Sequence, residues 1–474
     1  MAKFPAFVGG SYTALSSAVA DEEAINLYAE TIESAGAQTQ RSYFYTPGTA
    51  VFATLSGTPR GSWEINGRAF AVAGTELVEL FANGAHAVLG AVVDDSLPAS
   101  LAASSIELLV VSGGRAYCMN LATNVVTDVT ALLVGVPVKV EFGDSYFVLT
   151  LAGTNKFQIS GILDGLTWPG LQVNAVSVFP EHINSISVNH RELWVFGGRH
   201  IQPYSNTGAA NIYDVIPGAL IEKGTVSAFS PIRLDNTLFW IDQDERGNCS
   251  AWRANGYTPQ RVSTHAVETA LSSYANIGKQ VSYSYQEMGH LFWAVYVPGT
   301  DCTWFFDVAE GLWHKRAFWT GSVYEPHHSW NHVFAFGKHL VGDWSSSNIY
   351  ELSMSYYDDA GSTIIRTRQS PFVVNEMEYI RIASLTMDLE TGLGPQPPFV
   401  DGNGDPRPPQ CLLQWSDDRG KTWSNVHTYD CGFAGEYKTR VIAWRLGVTR
   451  YRVFRWTASD PVPWVFIGAY IEIA

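Results

Sequence analysis

Charged residues are scarce in this sequence. Asp, Glu, Lys and Arg together make up 16% of the 474 residues, against roughly 25% in an average soluble protein. The basic residues form no run or stripe and the formal net charge is −15, which excludes tight binding of DNA phosphates as the main activity. So few charges indicate that part of the surface is buried against partner proteins.

Cysteine is also scarce, and no pair has the C-x-x-C spacing of a zinc or redox site. The five residues are Cys118, Cys249, Cys302, Cys411 and Cys431. Their odd number favours free, buried thiols in a protein made in a reducing cytosol, with a Cys411–Cys431 bridge as the alternative. The sequence has no signal-peptide core and no apolar stretch of about 18 residues, so we expect no membrane span.

Long runs with helical periodicity are nearly absent as well. The 42 Gly and 22 Pro, with 46% hydrophobic residues, predict many short strands joined by turns around a large core. One segment, Thr264–Leu271, has apolar residues at helical spacing and predicts a single short helix.

The sequence is rich in a repeated pair of apolar, aromatic-containing runs. In each unit a turn precedes the first run, Gly or a polar cluster follows it, and a second run comes next. Seven such units recur about 38 to 53 residues apart, a period that suits a propeller blade. They are Ala69–Ala73 with Leu77–Leu80, Leu108–Val111 with Ala116–Met119, Tyr146–Leu149 with Phe157–Ile159, Leu193–Phe196 with Ile201–Tyr204, Leu238–Ile241 with Ser250–Trp252, Leu291–Val295 with Thr303–Phe306, and Val333–Phe336 with Ile349–Leu352.

This repeat predicts an all-β protein with a β-propeller of about six or seven blades. The first run of each unit is apolar throughout, as expected of a strand covered on both faces, and stacking blades around a ring covers those faces. The alternative is an array of β-sandwich hairpins. We expect residues 61–368 to form the propeller, residues 1–60 to pack on it or close it, and residues 369–474 to form a C-terminal β-sandwich domain.

Within the C-terminal domain, Ser384–Leu389 and Cys411–Trp415 alternate like paired strands. The segment between them is rich in Gly and Pro, which predicts a long exposed hairpin loop. Next, Ser416–Trp423 matches S-x-D-x-G-x-T-W, the Asp-box turn of sialidases and other propellers. In that turn Ser and Asp brace a tight hairpin, Gly takes a positive φ and Trp packs beneath, so the motif is structural.

Three other polar groups carry weaker signals. The histidines His327, His328, His332 and His339 cluster in sequence, but their spacing on a strand is poor for one metal ion and favours surface or interface positions. The stretches Asp242–Gly247 and Asp401–Pro406 begin like calcium loops. The first has Arg246 at a ligand position and no closing Glu, and the second has Pro406 where Gly is required, so we interpret both as polar turns. No catalytic, cofactor-binding or metal residue is assigned, and we expect no cofactor and no enzyme activity.

A family resemblance lies in the order of short elements near the N-terminus. These are Gly9–Tyr12, the Asn-hydrophobe-aromatic element within Ala20–Glu30, the Pro-Gly segment Tyr45–Thr49, and Pro59–Gly61. The sequence resembles the tail accessory proteins of P22-type podoviruses, also called packaged-DNA stabilisation, tail hub or nozzle proteins. The likeness continues through the repeats into the C-terminal strands.

The resemblance implies a structural virion protein of the phage tail, assembled in the host cytoplasm. It implies a homo-oligomer, a hexamer, below the portal and the adaptor ring. The ring would extend the DNA channel, let genomic DNA pass without specific binding, help retain packaged DNA, and anchor the tail needle, spikes or fibres. The alternative is a glycan-active propeller, either a sialidase-like hydrolase or a lectin-like receptor binder, which the Asp-box turn and the many aromatic residues motivate.

Overall fold

The computed structural model describes residues 2–4, 6–34, 39–209, 211–376 and 378–473. Seven four-stranded antiparallel blades follow one another along this part of the chain; six are separate sheets, and blade 6 belongs to a twelve-stranded sheet. The strands of blades 1 to 3 are Pro59–Ile65, Arg68–Ala73, Glu76–Leu80 and His86–Ala91; Ser100–Ala103, Glu107–Ser112, Arg115–Asn120 and Val126–Asp128; and Pro137–Gly143, Tyr146–Leu151, Lys156–Ile159 and Val173–Ala175.

Blades 4 to 6 have the same meander. Their strands are Ile183–Asn189, Glu192–Gly197, Ile201–Asn206 and Tyr213–Val215; Ile232–Leu234, Thr237–Gln243, Cys249–Asn255 and Thr258–Arg261; and Val281–Glu287, His290–Tyr296, Thr303–Asp307 and Leu312–Trp319, with Tyr324–Pro326 beside the last. Two single 3₁₀ turns, Thr130–Leu132 and Ile277–Lys279, lie between strands.

Blade 7 joins the two ends of the propeller. Its first three strands are Ser329–Ala335, Lys338–Asp343 and Asn348–Ser353, and its fourth strand is Gly48–Thr54 from the N-terminal part of the chain. The first strands of the blades lie around the axis, and the first strand of blade 7 contacts that of blade 1. The ring is therefore closed by a strand that precedes blade 1 in sequence.

A tight turn joins the first and second strands of each blade, and in six blades both central residues have positive φ: Asn66-Gly67, Asp144-Ser145, His190-Arg191, Asp235-Asn236, Met288-Gly289 and Phe336-Gly337. Two positive φ angles define the type I′ turn, whose twist matches that of the flanking strands.

The seventh predicted unit corresponds to the wrong strand. The repeat pattern equates Val333–Phe336 with the second strands of the other blades, but it is the end of the first strand of blade 7 together with the first residue of its turn. The equivalent second strand is Lys338–Asp343, which sequence analysis missed because it carries Lys, His, Gly and Asp.

Hydrophobic clusters fill all seven gaps between neighbouring blades. Between blades 1 and 2, for example, Phe70 and Val72 pack with Leu108 and Val110. The second strands are covered on both faces, as their apolar sequences predict. The short helix is also confirmed: it spans His265–Ser273, is capped by the Thr264 hydroxyl, and packs on the cluster between blades 5 and 6.

The C-terminal domain is a β-sandwich of two sheets. One sheet has the order Leu27–Thr31, Arg41–Tyr45, Val465–Ile473, Ile380–Leu389 and Val441–Thr449, with Ala2–Lys3 also on Val465–Ile473. The other has the order Asp21–Ile25, Arg366–Gln369, Tyr451–Ala458, Gln410–Ser416 and His427–Asp430, with Tyr12–Thr13 and Val373–Val374 at its sides. A single apolar core lies between the sheets and includes Trp456, Trp464 and Phe466.

Two sequence-based interpretations differ from this topology. Strands within residues 2–45 pair in the sandwich sheets, so the N-terminal segment contributes to both domains and only Gly48–Thr54 completes a blade. The predicted hairpin is wrong: Ile380–Leu389 and Gln410–Ser416 lie in opposite sheets and do not pair. The segment between them crosses from sheet to sheet and carries its own small hairpin, Phe399–Val400 with Pro406–Arg407. Alternation shows which strand face is buried, but it does not identify the pairing partner.

The two domains share one continuous sheet. The strand Asp21–Ile25 pairs with Arg366–Gln369 of the sandwich on one side, and on the other side Ile25 is the parallel partner of Lys315 in the outer strand of blade 6. The N-terminal strand therefore links blade 6 to the sandwich by backbone hydrogen bonds.

Candidate functional site

The axis of the propeller holds a cavity of about 340 Å³. Its wall comes from the first strands of the blades and includes Ser62, Leu101, Lys139, Ser187 and Asn331. This volume is at the lower end of small-molecule pockets. A cavity of this volume has the size of a small-molecule pocket, not that of a channel for duplex DNA.

Two oppositely charged side chains of blade 3, Lys139 and Glu141, interact at this cavity. Burial lowers the pKa of the Lys139 ammonium and raises the pKa of the Glu141 carboxyl. The attraction between the two charges partly offsets both shifts, since it raises the pKa of Lys139 and lowers that of Glu141. The Lys139 Nζ donates to Ser185 Oγ at 3.2 Å. The Lys139 hydrogen bond links blades 3 and 4, and Arg233 of blade 5, which also lines the cavity, acts on both groups.

Buried arginines brace the propeller at points where backbone carbonyls lack strand partners. The Arg60 side chain is 1% exposed and donates to the carbonyl oxygens of Gly74, Val93 and Leu97. It also lies 3.1 Å from Asp95 Oδ1 and 3.2 Å from Asp94 Oδ1. Arg60 thus ties blade 1 to the connection leading into blade 2, and burial lowers the pKa of its guanidinium.

A second buried arginine lies where Gly48–Thr54 closes the ring. Arg316 donates to the Pro47 carbonyl at 2.7 Å, and the same nitrogen lies 2.9 Å from His327 Nε2. The His327 side chain is 1% exposed, and burial, then the Arg316 charge, lowers its pKa well below the usual range. His327 is therefore a neutral acceptor inside the fold. The sequence does not reveal that these arginines are buried, because nothing local separates a buried Arg from an exposed one.

The four clustered histidines do not form one site. His328 Nδ1 lies 3.3 Å from Asp343 Oδ1, and His332 Nε2 lies 3.0 Å from His339 Nδ1. In the described part of the chain no three His, Cys, Asp or Glu side chains are grouped as metal ligands. The surface or interface interpretation is wrong for His327, because strands of blades 6 and 7 enclose it.

The Asp-box turn has the predicted bracing. Asp418 Oδ1 accepts from Ser416 Oγ at 2.7 Å and from the Thr422 backbone N–H at 2.8 Å, and Thr422 Oγ1 donates to its other oxygen. These donors hold the pKa of the Asp418 carboxyl well below its usual range. Gly420 takes φ +85°. The turn joins Gln410–Ser416 to His427–Asp430, so it is a hairpin brace in the sandwich.

The remaining polar groups also have structural roles. Asp244 accepts the backbone N–H groups of Arg246 and Asn248, and Asp401 accepts those of Asn403 and Asp405, so both stretches are polar turns as predicted. All five cysteines are buried and free, so the alternative Cys411–Cys431 bridge is wrong. Among the residues that the structure describes, no helix has the length and hydrophobicity of a membrane-spanning segment.

Comparison with known families agrees with the two-domain architecture. A family model described as bacteriophage P22 Gp10, beta-propeller, matches residues 3–357, and a second, bacteriophage P22 Gp10, beta-sandwich, matches residues 365–474. The chain belongs to the bacteriophage P22 Gp10 family. The resemblance and the fold class predicted from sequence are confirmed. The P22 Gp10 family is a family of phage tail structural proteins.

Solved structures that are similar to the chain have low sequence identity to it. The N-terminal domain of Nup159 is 9% identical with a TM-score of 0.40, covering 68% of this chain and 98% of that one. The Cps50 (Swd1) propeller of Myceliophteria thermophila is 9% identical with a TM-score of 0.40, covering 62% and 96%. YCF48 from Cyanidioschyzon merolae is 12% identical with a TM-score of 0.39, covering 65% and 97%. Comparison with curated proteins gave no match.

Proposed function

We propose that this protein is the hub or nozzle of a short phage tail. In this role a ring of copies, a hexamer, extends the DNA channel below the portal and adaptor, helps retain packaged DNA, and anchors the tail needle, spikes or fibres. The observation that carries the proposal is the match of both domains to the P22 Gp10 family over almost the whole chain.

The polar chemistry of the chain supports a structural role. The buried Arg60 and Arg316 side chains donate hydrogen bonds to backbone carbonyl oxygens. The Asp418 carboxylate accepts its hydrogen bonds from residues of its own turn. A glycan-active site would need a carboxylate free to act on a substrate. The Asp-box turn therefore lends no support to the glycan-active alternative.

The path proposed for DNA lies between copies of the chain. The axial cavity of the propeller is too small for a duplex, so the channel would be the central opening of the ring. An acidic protein, with net charge −15, repels the phosphates and lets DNA slide without being held.

Electron microscopy of the purified protein mixed with its adaptor tests the proposal. A six-fold ring seated on the adaptor is expected, and particles assembled without the protein are expected to release their DNA. A stable monomer that never joins such a ring would overturn the proposal. A fluorogenic sialoside assay on the same sample is expected to show no turnover.

A further inference from the structure

The net charge of this chain is distributed unevenly between its domains. Residues 365–474 carry twelve basic and twelve acidic residues, so the whole net charge of −15 belongs to residues 1–364. Residues 1–45, whose strands pair in the sandwich, carry two basic and five acidic residues, a net charge of −3. The propeller, residues 46–364, therefore has the remaining net charge of −12, whereas the C-terminal part is neutral. A cluster of unpaired cations on the sandwich is therefore complementary in charge to the propeller of another copy of the same chain.

One such cluster lies at the edge of a sandwich sheet. The edge strand Val441–Thr449 pairs with Ile380–Leu389, which places Arg381 opposite Val448. Beside them the Arg450 guanidinium lies 4.3 Å from the centre of the Tyr379 ring. Neither Arg381, Arg445 nor Arg450 lies within 4.0 Å of a carboxylate oxygen of a described residue.

The same edge exposes large apolar side chains. Tyr379 is 65% exposed, Trp444 61% and Val448 58%. Together with the three arginines they form what we term the sandwich edge patch: Tyr379, Arg381, Trp444, Arg445, Val448 and Arg450. Exposed aromatic and arginine side chains in one patch are typical of protein interfaces, and single exposed apolar residues elsewhere need no such explanation.

The edge strand Val441–Thr449 has features that disfavour pairing with a further strand. Its register shifts between Ile382 and Ser384, and Arg445 in the irregular stretch has φ +60°. Bulges and charged residues at an edge prevent the addition of a foreign strand. Prevention of strand addition explains why arginines lie at this edge, but it does not explain why Trp444 beside them is exposed. Contact through side chains, rather than strand addition, fits all of these features.

We infer that the sandwich edge patch docks on the acidic propeller of a second copy of this chain, so that copies join head to tail. A contact between two different surfaces closes into a ring when its rotation permits. The inference rests on the proposed ring and identifies the surface that forms it. The interaction is expected to weaken with salt because exposed charges contribute to it.

Charge reversal provides the first test. Arg381→Glu is expected to lower the association constant of the copies by tenfold or more at physiological salt, measured by sedimentation velocity. The matched control Lys421→Glu makes the same charge change on an exposed residue of the Asp-box turn, which joins two strands of the other sheet, and is expected to leave association unchanged. Near-ultraviolet circular dichroism of each variant checks that the monomer is folded.

Crosslinking provides the second test. Replacing Trp444 with a photoreactive phenylalanine, in a ring mixed from isotope-labelled and unlabelled chains, is expected to give crosslinks between chains that end in propeller residues 46–364. Crosslinks that end in residues 1–45 or 365–474 of the other copy, or an unchanged ring with Arg381→Glu, would overturn the docking surface and leave the proposed function standing. If the unmodified protein forms no ring with its adaptor, both proposals fail.

Discussion

Asn26 and Ala317 exchange two hydrogen bonds across the junction between the N-terminal segment and blade 6. The Asn26 side-chain amide donates to the Ala317 carbonyl at 2.9 Å, and the Ala317 N–H donates to Asn26 Oδ1 at 3.0 Å. The same amide donates to the Ile365 carbonyl at 2.8 Å, at the start of the sandwich. The Asn26 side chain thus forms strand-like hydrogen bonds with blade 6 of the propeller and also binds Ile365 at the start of the sandwich.

Replacement of this side chain is expected to loosen the junction. In Asn26→Ala, two buried carbonyls and one N–H lose their partner, which lowers the free energy of unfolding by about 1–3 kcal/mol beyond the conformational effect of φ +56°. The control Asn66→Ala has a similar φ of +54° in an exposed turn and is expected to lose only about 1–2 kcal/mol. Equal midpoints in urea denaturation for the two variants would contradict the role given to the Asn26 amide.

The closing strand of blade 7 begins at a glycine that has no room for a side chain. A β-carbon on Gly48 would lie 2.7 Å from the Tyr356 carbonyl oxygen and closer still to that of Asp358. Gly48→Ala is therefore expected to destabilise the protein by about 1–3 kcal/mol through backbone displacement, measured by urea denaturation. Gly170→Ala, where a β-carbon meets no atom within 4 Å, should leave stability nearly unchanged.

Buried His314 is expected to make the fold sensitive to acid. Burial, and then the charges of Arg316 and His290, lower its pKa from 6.5 to about 3. The unfolded chain therefore binds a proton below pH 6.5 that the folded chain refuses, so stability falls as the pH drops from 6.5 towards 3. The slope from this one group is at most about 1.4 kcal/mol per pH unit.

His314→Phe isolates that contribution. The ring stacks on Phe305, so a phenyl group suits the site, and the variant should lose stability less steeply than the unmodified protein between pH 6.5 and 4. His290, whose pKa is raised mainly by its hydrogen bond with Asp307, contributes in the opposite direction and is present in both proteins. Parallel curves of unfolding free energy against pH would show that His314 is not the acid-sensitive group.

The cysteines are expected to be unreactive in the folded protein. Burial raises the pKa of the Cys118 and Cys302 thiols, and that of Cys249 to about 11, so few thiolates form near neutral pH. A colourimetric thiol reagent should detect almost none without denaturant and all five in guanidinium chloride without reductant. Three thiols after denaturation would instead show that one bridge forms in the purified protein.

Local signals explain why the blades could be predicted so closely. Apolar runs such as Leu108–Val111 are covered on both faces in any blade stack, and turn residues such as Asn66-Gly67 accept positive φ wherever the chain goes. The Asp-box turn is equally local, since Ser416, Asp418 and Thr422 satisfy one another. The sequence pattern failed at Lys338–Asp343, where a second strand carries polar residues that the neighbouring blades bury.

By itself, the sequence determined the repeat, the all-β class and the chemistry of the turns, because these depend on residues close together in the chain. Tertiary structure alone decided that Gly48–Thr54 completes blade 7, that Asp21–Ile25 joins blade 6 to the sandwich, and that Arg60 and Arg316 are buried. Strand pairing across some 300 residues depends on which edges and carbonyls remain unpaired once the other blades have formed. No local pattern contains that information.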